Sequence, residues 1–564
     1  MMPQKPSQVP PRPAAAPSPA PAPLWDGLAW ATLAAVALFA ALTFRDYGPS
    51  WDDYTHAEYG ELLLAFYTSG FADRRALSFV NLYLYGGGFD LAATLAAKAL
   101  PFDLFETRRL MGAVFGLAGL AATWRAARWL GGPRAGAIAL LLLATCPLFI
   151  GHMMMNPKDA PFATAMAFLL LTLIRLLLEY PKPSWPTRLL FGLALGFALG
   201  SRILAGLDAI AMAAALLLLI VMDVRGDGLR AAMQRLGGFL LGLLPAFVLA
   251  YAVLGLIWPW AVIEPLNPLR AVGYFSTFFE EPWRELFEGQ QILVPEMPAR
   301  YLPQLLALKL PEILLGLGLA GLVGALVAAL RPLPPRPRAA LLLTALAAML
   351  PVLVTMVTRP AMYNGIRHFV FVVPPLAVLG GLAADYLARR LADGQRPWRG
   401  TALAALLAIG ILSPVVAMAR LHPYEYIHFN RIAGGVKGAD GRYMLDYWGL
   451  SFKQATDALA AFMTAQKLPP EKIKVAVCGP HRPVQVAMRE TLGDGRAETT
   501  WDPKGANFAV SLGVFYCAKL DAPVIADITR DGVSLARVYD LRGANVDTLL
   551  TMPGLRGKED DSKP

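Results

Sequence analysis

The chain has 564 residues, 56% hydrophobic and 16% charged, with a mean hydropathy of +0.47. A soluble domain carries about a quarter charged residues, so this composition excludes an ordinary soluble enzyme and defines a polytopic membrane protein. The net charge of +10 comes largely from Arg and Lys in short connections, where it sets orientation, and it carries no nucleic-acid signal.

Residues 1–23 are Pro/Ala-rich with Lys5 and Arg12 and have no helical or strand period, which predicts an extended, disordered cytoplasmic tail. Leu24–Phe44 is too long for the apolar core of a signal peptide and reads as a retained first span.

The next stretch, Ser50-Trp51-Asp52-Asp53-Tyr54-Thr55-His56-Ala57-Glu58-Tyr59-Gly60-Glu61, follows where the chain leaves the membrane. Ser50 followed three residues later by Asp53 has the form of a capping box. Helical spacings of four and seven put Asp52, His56 and Tyr59 on one stripe, with Asp53 about a quarter-turn away beside Ala57 and Gly60. An acid, an imidazole and a phenol on one stripe suit removal of a substrate proton. An N-capped interfacial helix whose acids complement the helix dipole explains the same residues.

Further spans are expected at roughly 109–130, 134–151, 160–180, 187–203, 205–222, 236–257, 311–330, 339–358, 367–388 and 400–420. With the first, they number eleven. Arg and Lys concentrate in alternate connections: Arg125, Arg128 and Arg134; Lys182 and Arg188; Arg225, Arg230 and Arg235; Arg331, Arg336 and Arg338; Arg389, Arg390, Arg396 and Arg399. That alternation places the N-terminus in the cytoplasm and requires 187–222 to cross twice, broken at Ser201-Arg202. Two long outward connections result, 45–108 and 258–310. The first holds Gly86-Gly87-Gly88 and an interfacial helix over 89–100; the second reads as an ordered loop over a cavity around Gln290–Pro303.

Residues 421–564 have the composition of a soluble unit on the outer face. Strands are expected at Lys472–Cys478 and Asn507–Gly513, a hairpin over Pro523–Leu541 turning at Asp531-Gly532, and a helix over Gln454–Gln466. The fold class is thus a mainly α-helical membrane module, residues 24–420, followed by a small α/β domain. Of the three cysteines, Cys146 reads as a small core residue, and Cys478 and Cys517 can pair if their domain lies outside the cell.

Ionisable residues cluster at span ends on the outward side: Lys158 and Asp159 in His152–Pro161, Arg202 between two spans, and Arg367-His368 at the head of another. Each alone has a plain explanation. Asp159 suits a helix N-cap and a long Arg can snorkel. Together they offer acidic sites (Asp52/Asp53 and Asp159) and several cations on one membrane face, which fits a reaction with a proton to remove and a phosphate to stabilise.

At these residues the chain resembles the GT-C superfamily, nearest to bacterial glycosyltransferase family 39, the relatives of protein O-mannosyltransferases and the lipid A aminoarabinose transferase. The matching pieces are Asp52-Asp53, Asn156-Pro157-Lys158-Asp159-Ala160-Pro161-Phe162, Tyr363-Asn364-Gly365-Ile366-Arg367-His368-Phe369 and the run Asn430–Gly449. The family usually has Glu as the second acid of the pair; here it is Asp53. The resemblance implies inverting transfer of a sugar from a polyprenyl-phosphate donor to an envelope glycan, lipid or protein, on the periplasmic face of the bacterial inner membrane. It implies catalytic roles for Asp52, Asp53 and Asp159, with Asp52 the general base, and substrate binding by His56, Tyr59, Lys158, Arg202, Arg367 and His368 among membrane lipids. Asp159 is expected to orient the acceptor or to help hold a divalent cation, although two separated acids are too few ligands to define a metal site. The competing readings are a transporter or flippase for an anionic lipid-linked substrate, and a non-catalytic assembly protein. Transporters place ionisable groups near the midplane within repeated halves, and neither feature is legible here.

Overall fold

A computed structural model describes residues 22–552, apart from 277–282, 392–395, 397 and 467–471. The expectation for the N-terminal tail lies almost entirely outside these residues. The first span, α1 (Ala22–Thr43), ends at a turn that leads into α2 (Asp53–Thr68), α3 (Gly88–Ala99) and the long α4 (Leu104–Gly131). Asp103 starts α4 by accepting from the N–H groups of Phe105 and Glu106 at 2.7 and 2.9 Å, which satisfies two of the donors every helix leaves unpaired. Helices α5 (Pro133–Ala144) and α6 (Pro147–Met155) are bent by 64° at Thr145-Cys146 and lead to α7 (Asp159–Glu179).

Helix α8 (Trp185–Ser201) stops at an extended Arg202, and α9 (Leu207–Asp227) follows after one 3-10 turn. The chain therefore breaks at Ser201-Arg202, where two charged-or-polar residues interrupt the apolar run. Helices α10 (Leu229–Gly242) and α11 (Leu244–Ile257) form one long apolar segment, and α8 lies closely against α11. The reason is spacing: Gly192 and Gly196 fall on one face of α8. A methyl group at either would sit 2.6 or 2.5 Å from the carbonyl oxygens of Ala246 and Ala250, a small-residue contact typical of membrane helix pairs.

The second long connection holds two short helices, α12 (Pro259–Ile263) and α13 (Asn267–Ser276), the hairpin β1 (Arg284–Phe287) with β2 (Gln290–Leu293), and α14 (Tyr301–Lys309). It is more structured than the ordered loop expected, because its aromatic residues pack on each other and on Tyr83 and Tyr85. Then come α15 (Glu312–Leu330), α16 (Pro335–Thr358), α17 (Val373–Leu391) and α18 (Trp398–Leu421). Helices α7 and α17 are the most enclosed of the bundle, and α18 the least.

Among the described residues nine helical segments are long and apolar enough to cross a membrane, and the bent pair α5–α6 makes a tenth. The expected eleventh is α8. At 17 residues and about 1.5 Å per residue it reaches roughly 25 Å, a little short of the ~30 Å hydrocarbon core.

After α18 and the short α19 (Gly435–Ala439), α20 (Phe452–Ala465) and α21 (His481–Leu492) pack on a five-stranded sheet. Its strands are β3 (Ile473–Cys478), β4 (Ala497–Thr500), β5 (Phe508–Leu512), β6 (Val524–Arg530) and β7 (Val533–Asp540), in the order β4-β3-β5-β7-β6. β3 runs parallel to β4 and β5, and β7 antiparallel to β5 and β6. Asp531 and Gly532 both have positive φ, 49° and 79°, the geometry an Asp-Gly hairpin turn requires. Cys478 and Cys517 form a disulfide, and Cys146 is buried and free. The sequence reading placed β3, β5, α20 and the β6–β7 hairpin but omitted β4 and α21, the latter because its polar first turn hid its apolar face.

Candidate active site

Adjacent in sequence, Asp52 and Asp53 lie in different surroundings. Asp53 is 1% exposed. Its Oδ2 accepts from the Ser50 N–H and Ser50 hydroxyl at 2.8 and 2.9 Å and pairs with Arg109 Nη2 at 2.9 Å. Arg108 Nε lies 3.4 Å from its Oδ1. Half of the expected capping box is present: the acid reaches back to Ser50, while the serine hydroxyl donates to the acid instead of capping the helix. The N-cap position belongs to Asp52, whose carboxylate makes no capping bond. It turns instead to Arg367, with Oδ2 2.8 Å from Nη1, and keeps 29% of its side chain exposed.

His56 and Tyr59 are drawn elsewhere. His56 Nδ1 donates to Asp90 Oδ2 at 2.8 Å, and Asp90 Oδ1 takes Arg108 Nη2 at 2.7 Å. Asp53, Arg108, Asp90 and His56 thus form one buried chain of charge. Tyr59 packs among Leu62, Leu63 and Phe66, its ring stacked with Phe79. His56 still lies near enough for its charge to act on Asp52.

The second acid is set by Asn156. Its side-chain oxygen accepts from the N–H groups of Lys158 and Asp159 at 3.0 and 2.7 Å, and its amide donates to Asp159 Oδ2 at 3.0 Å and to His152 Nδ1 at 3.0 Å. Asn156 therefore caps α7, a task the sequence reading gave to Asp159. Asp159 is left free to pair with the Arg202 guanidinium that projects from the break after α8. Lys158 Nζ stands 3.7 Å from the centre of the Tyr85 ring and the Arg202 guanidinium 5.6 Å from it, so two cations make cation–π contacts with one tyrosine. Tyr85 is held by the Gly86-Gly87 turn. Gly87 N–H bonds the carbonyl of Ile257 at 2.9 Å, and at Gly86 any side chain would collide with the Gly200 carbonyl.

Arg367 begins the 3-10 turn Arg367–Val372 that leads into α17. Its guanidinium lies between Tyr363 and Trp448, 4.9 and 5.0 Å from their ring centres. His368 packs edge-on against Tyr363 at 5.1 Å. Trp448 is held in place by Asp446, which accepts from Tyr426 and Ser451 hydroxyls and from the N–H groups of Leu450 and Ser451 at 3.1 and 3.0 Å. The Trp448 carbonyl accepts the Trp51 N–H at 3.1 Å. The run Asn430–Gly449 thus closes over the start of α2.

The structure brings Asp52, Lys158, Asp159, Arg202, Arg367 and His368 to one locality and leaves Asp53, His56 and Tyr59 behind it. Two carboxylates (Asp52, Asp159) there meet three cations (Lys158, Arg202, Arg367), an excess of positive charge. Burial would raise the Asp52 carboxyl, but Arg367, Lys158 and His56 outweigh it and hold the group below its ordinary range. Burial, then Arg202, pushes Lys158 down to about 7 against the pull of Asp52 and Asp159. Among the described residues no group of three or more His, Cys, Asp or Glu side chains is placed to hold a metal ion. Asp52 and Asp159 are each taken by a guanidinium, so the donors present do not fit a divalent cation and no step is assigned to one. Tyr85, Asp90, Arg108 and Arg109 were not singled out by sequence reading, and Asn156 and Trp448 entered only as members of longer matching runs. A signal was available at Arg108-Arg109, two adjacent charges at the head of an apolar span that need buried partners.

Residues 97–252 match the family described as dolichyl-phosphate-mannose-protein mannosyltransferase. The match spans less than half of the chain, from α3 to α11, and agrees with the resemblance read from the sequence motifs. Among solved structures, ArnT from Cupriavidus metallidurans in the apo state is similar at 19% identity, covering 93% of this chain and 100% of that one, with a TM-score of 0.47. The same protein bound to undecaprenyl phosphate is 18% identical over 95% of this chain and 100% of that one, TM-score 0.45. The archaeal oligosaccharyltransferase AglB from Archaeoglobus fulgidus, in complex with an inhibitory peptide and a dolichol-phosphate, is 12% identical over 86% and 69%, TM-score 0.48. No curated protein matches.

Proposed function

We propose that this protein transfers a sugar from a polyprenyl-phosphate donor to an envelope glycan, lipid or protein, with inversion at the anomeric carbon. The observation that carries the reading is the Asp52–Arg367 pair. It sets one partly exposed carboxylate, free of capping duty, against a cation suited to phosphate. An acceptor hydroxyl oxygen attacks the anomeric carbon while the bond from that carbon to the phosphate oxygen breaks. The hydroxyl proton passes to Asp52, and the lipid phosphate leaves with the bonding pair. Arg367, with Lys158 and Arg202 nearby, stabilises the charge that develops on the phosphate. When phosphate draws Arg367 away, Asp52 loses the partner that depresses its basicity, so donor binding readies the base. Asp159 positions Arg202. Asp53, His56 and Tyr59 hold α2 in place rather than touch substrate.

Envelope glycolipids, glycans and glycoproteins of a strain lacking this protein, compared with its parent by mass spectrometry, should show one species lighter by a pentose or hexose unit. An unchanged envelope in cells that normally make the protein would overturn the reading.

The site, in the same proposal, faces the periplasm, with the N-terminus in the cytoplasm and residues 421–564 outside. Two features support this orientation: the alternation of basic connections, and a disulfide, which persists in oxidising compartments. With Cys146 replaced, single cysteines at exposed Ser69 and Asp494 should react with a membrane-impermeant thiol reagent in cells with a permeabilised outer barrier. A cysteine at Gly226 should react only after lysis. Protection of Asp494→Cys until lysis, with Ser69→Cys reactive, would put the C-terminal unit inside.

A further inference from the structure

The hairpin β1–β2 reaches the turn that carries Arg367, and its contact is made by a single acid. Glu285 on β1 is 1% exposed. Its Oε1 accepts from the Tyr301 hydroxyl at 3.1 Å and from the Gly365 N–H at 3.3 Å, and Tyr301 also lies 3.3 Å from the Gly365 carbonyl. Asn364 and Gly365 both have positive φ, 55° and 67°. For Asn364 this is a conformation few side chains adopt, which persists when surrounding contacts impose it. The turn so held delivers Tyr363 and Arg367, the ring and guanidinium that stack on each other beside Asp52.

We propose that Glu285 is a positioning residue for the donor phosphate. It clamps the backbone of 364–365, so that the Arg367 guanidinium can exchange Asp52 for phosphate by side-chain motion alone, without paying to reorganise the turn. The proposal rests on the reading that Arg367 receives the phosphate. What matters is the reach of an acceptor oxygen to Tyr301 and Gly365, not the charge. Burial is consistent with this, since it pushes the Glu285 carboxyl up to about 7 and leaves it only part ionised near neutrality, against the pull of the Asn364 and Gly365 amides, Tyr301 and Arg367.

The test measures binding of undecaprenyl phosphate to the full chain in lipid nanodiscs. Glu285→Gln keeps the acceptor and its reach, and should bind within about twofold of wild type. Glu285→Asp keeps the charge but falls short of the turn, and Glu285→Met fills the space without an acceptor; each should bind about tenfold more weakly, the scale of one lost hydrogen bond. Arg367→Ala should also weaken binding, and Glu285→Met should add nothing to it, because the two act through the same contact. Should Glu285→Met fail to fold, the order Gln tighter than Asp decides the question alone. If Glu285→Asp binds like wild type and Glu285→Gln does not, charge is what counts and the positioning role is wrong. If Glu285→Met weakens binding equally with and without Arg367, the effect is general loosening and the proposal fails. If Arg367→Ala leaves affinity unchanged, the phosphate assignment itself falls, and the role of Glu285 with it.

Discussion

Asp52→Asn should lower the rate of sugar transfer by about 10²- to 10⁴-fold, the range a general base contributes, with donor binding and folding little changed. The substitution removes proton-accepting ability and alters almost no volume. Because Asp52 makes no capping bond, α2 keeps its start. The pH profile of wild-type kcat/KM adds a second readout, since it reports the free enzyme. Asp52 is held below the ordinary carboxylate range by Arg367, Lys158 and His56, against the effect of burial. It therefore stays ionised as the pH falls through 5, and no acid limb should arise from it there. Lys158, pushed down to about 7 by burial and then by Arg202, sheds its proton as the pH rises through neutrality, so kcat/KM should fall above about 7. Lys158→Arg should move that fall out of the neutral range. Wild-type turnover by Asp52→Asn would remove Asp52 from catalysis.

Arg108→Met should cost roughly 3–5 kcal/mol of stability, because removing one partner from a buried ionic network leaves carboxylates uncompensated. Arg108 is bonded at 2.7 Å to Asp90 and sits 3.4 Å from Asp53, and all three side chains are buried. The cost should appear as a lower unfolding midpoint in detergent, accompanied by slower transfer because the start of α2 carries Asp52. Asp53→Asn should cost less, since the amide oxygen still accepts from Ser50, Arg108 keeps Asp90 and Arg109 keeps the Gly48 carbonyl. A loss below about 1 kcal/mol for Arg108→Met would show that these charges offset their own desolvation and no more.

The membrane spans, the break at Ser201-Arg202, the Asp531-Gly532 hairpin and the resemblance to GT-C enzymes were all legible in the sequence. Each depends on local properties: apolar length against a bilayer of given thickness, a polar interruption, a turn that demands positive φ, a short motif. The clustering of ionisable residues at span ends was legible for the same reason. Which of them meet was not. Asp52 and Asp53 carry the same group on consecutive residues, yet neighbours on a helix point about 100° apart, so their partners come from different parts of the chain. Arg108 lies 55 positions from Asp53, and Arg367 315 positions from Asp52. His56 and Asp52 share a stripe by period, but a buried imidazole takes the strongest acceptor within reach, and Asp90 on α3 supplies it. Likewise Asp159 has the look of a helix cap until the Asn156 side chain fills that role at closer range. Local physics set the segments and the face on which charge gathers. The pairing of each charge was decided by tertiary structure, because a buried ionic group takes whatever counter-charge the packing of distant helices brings to it.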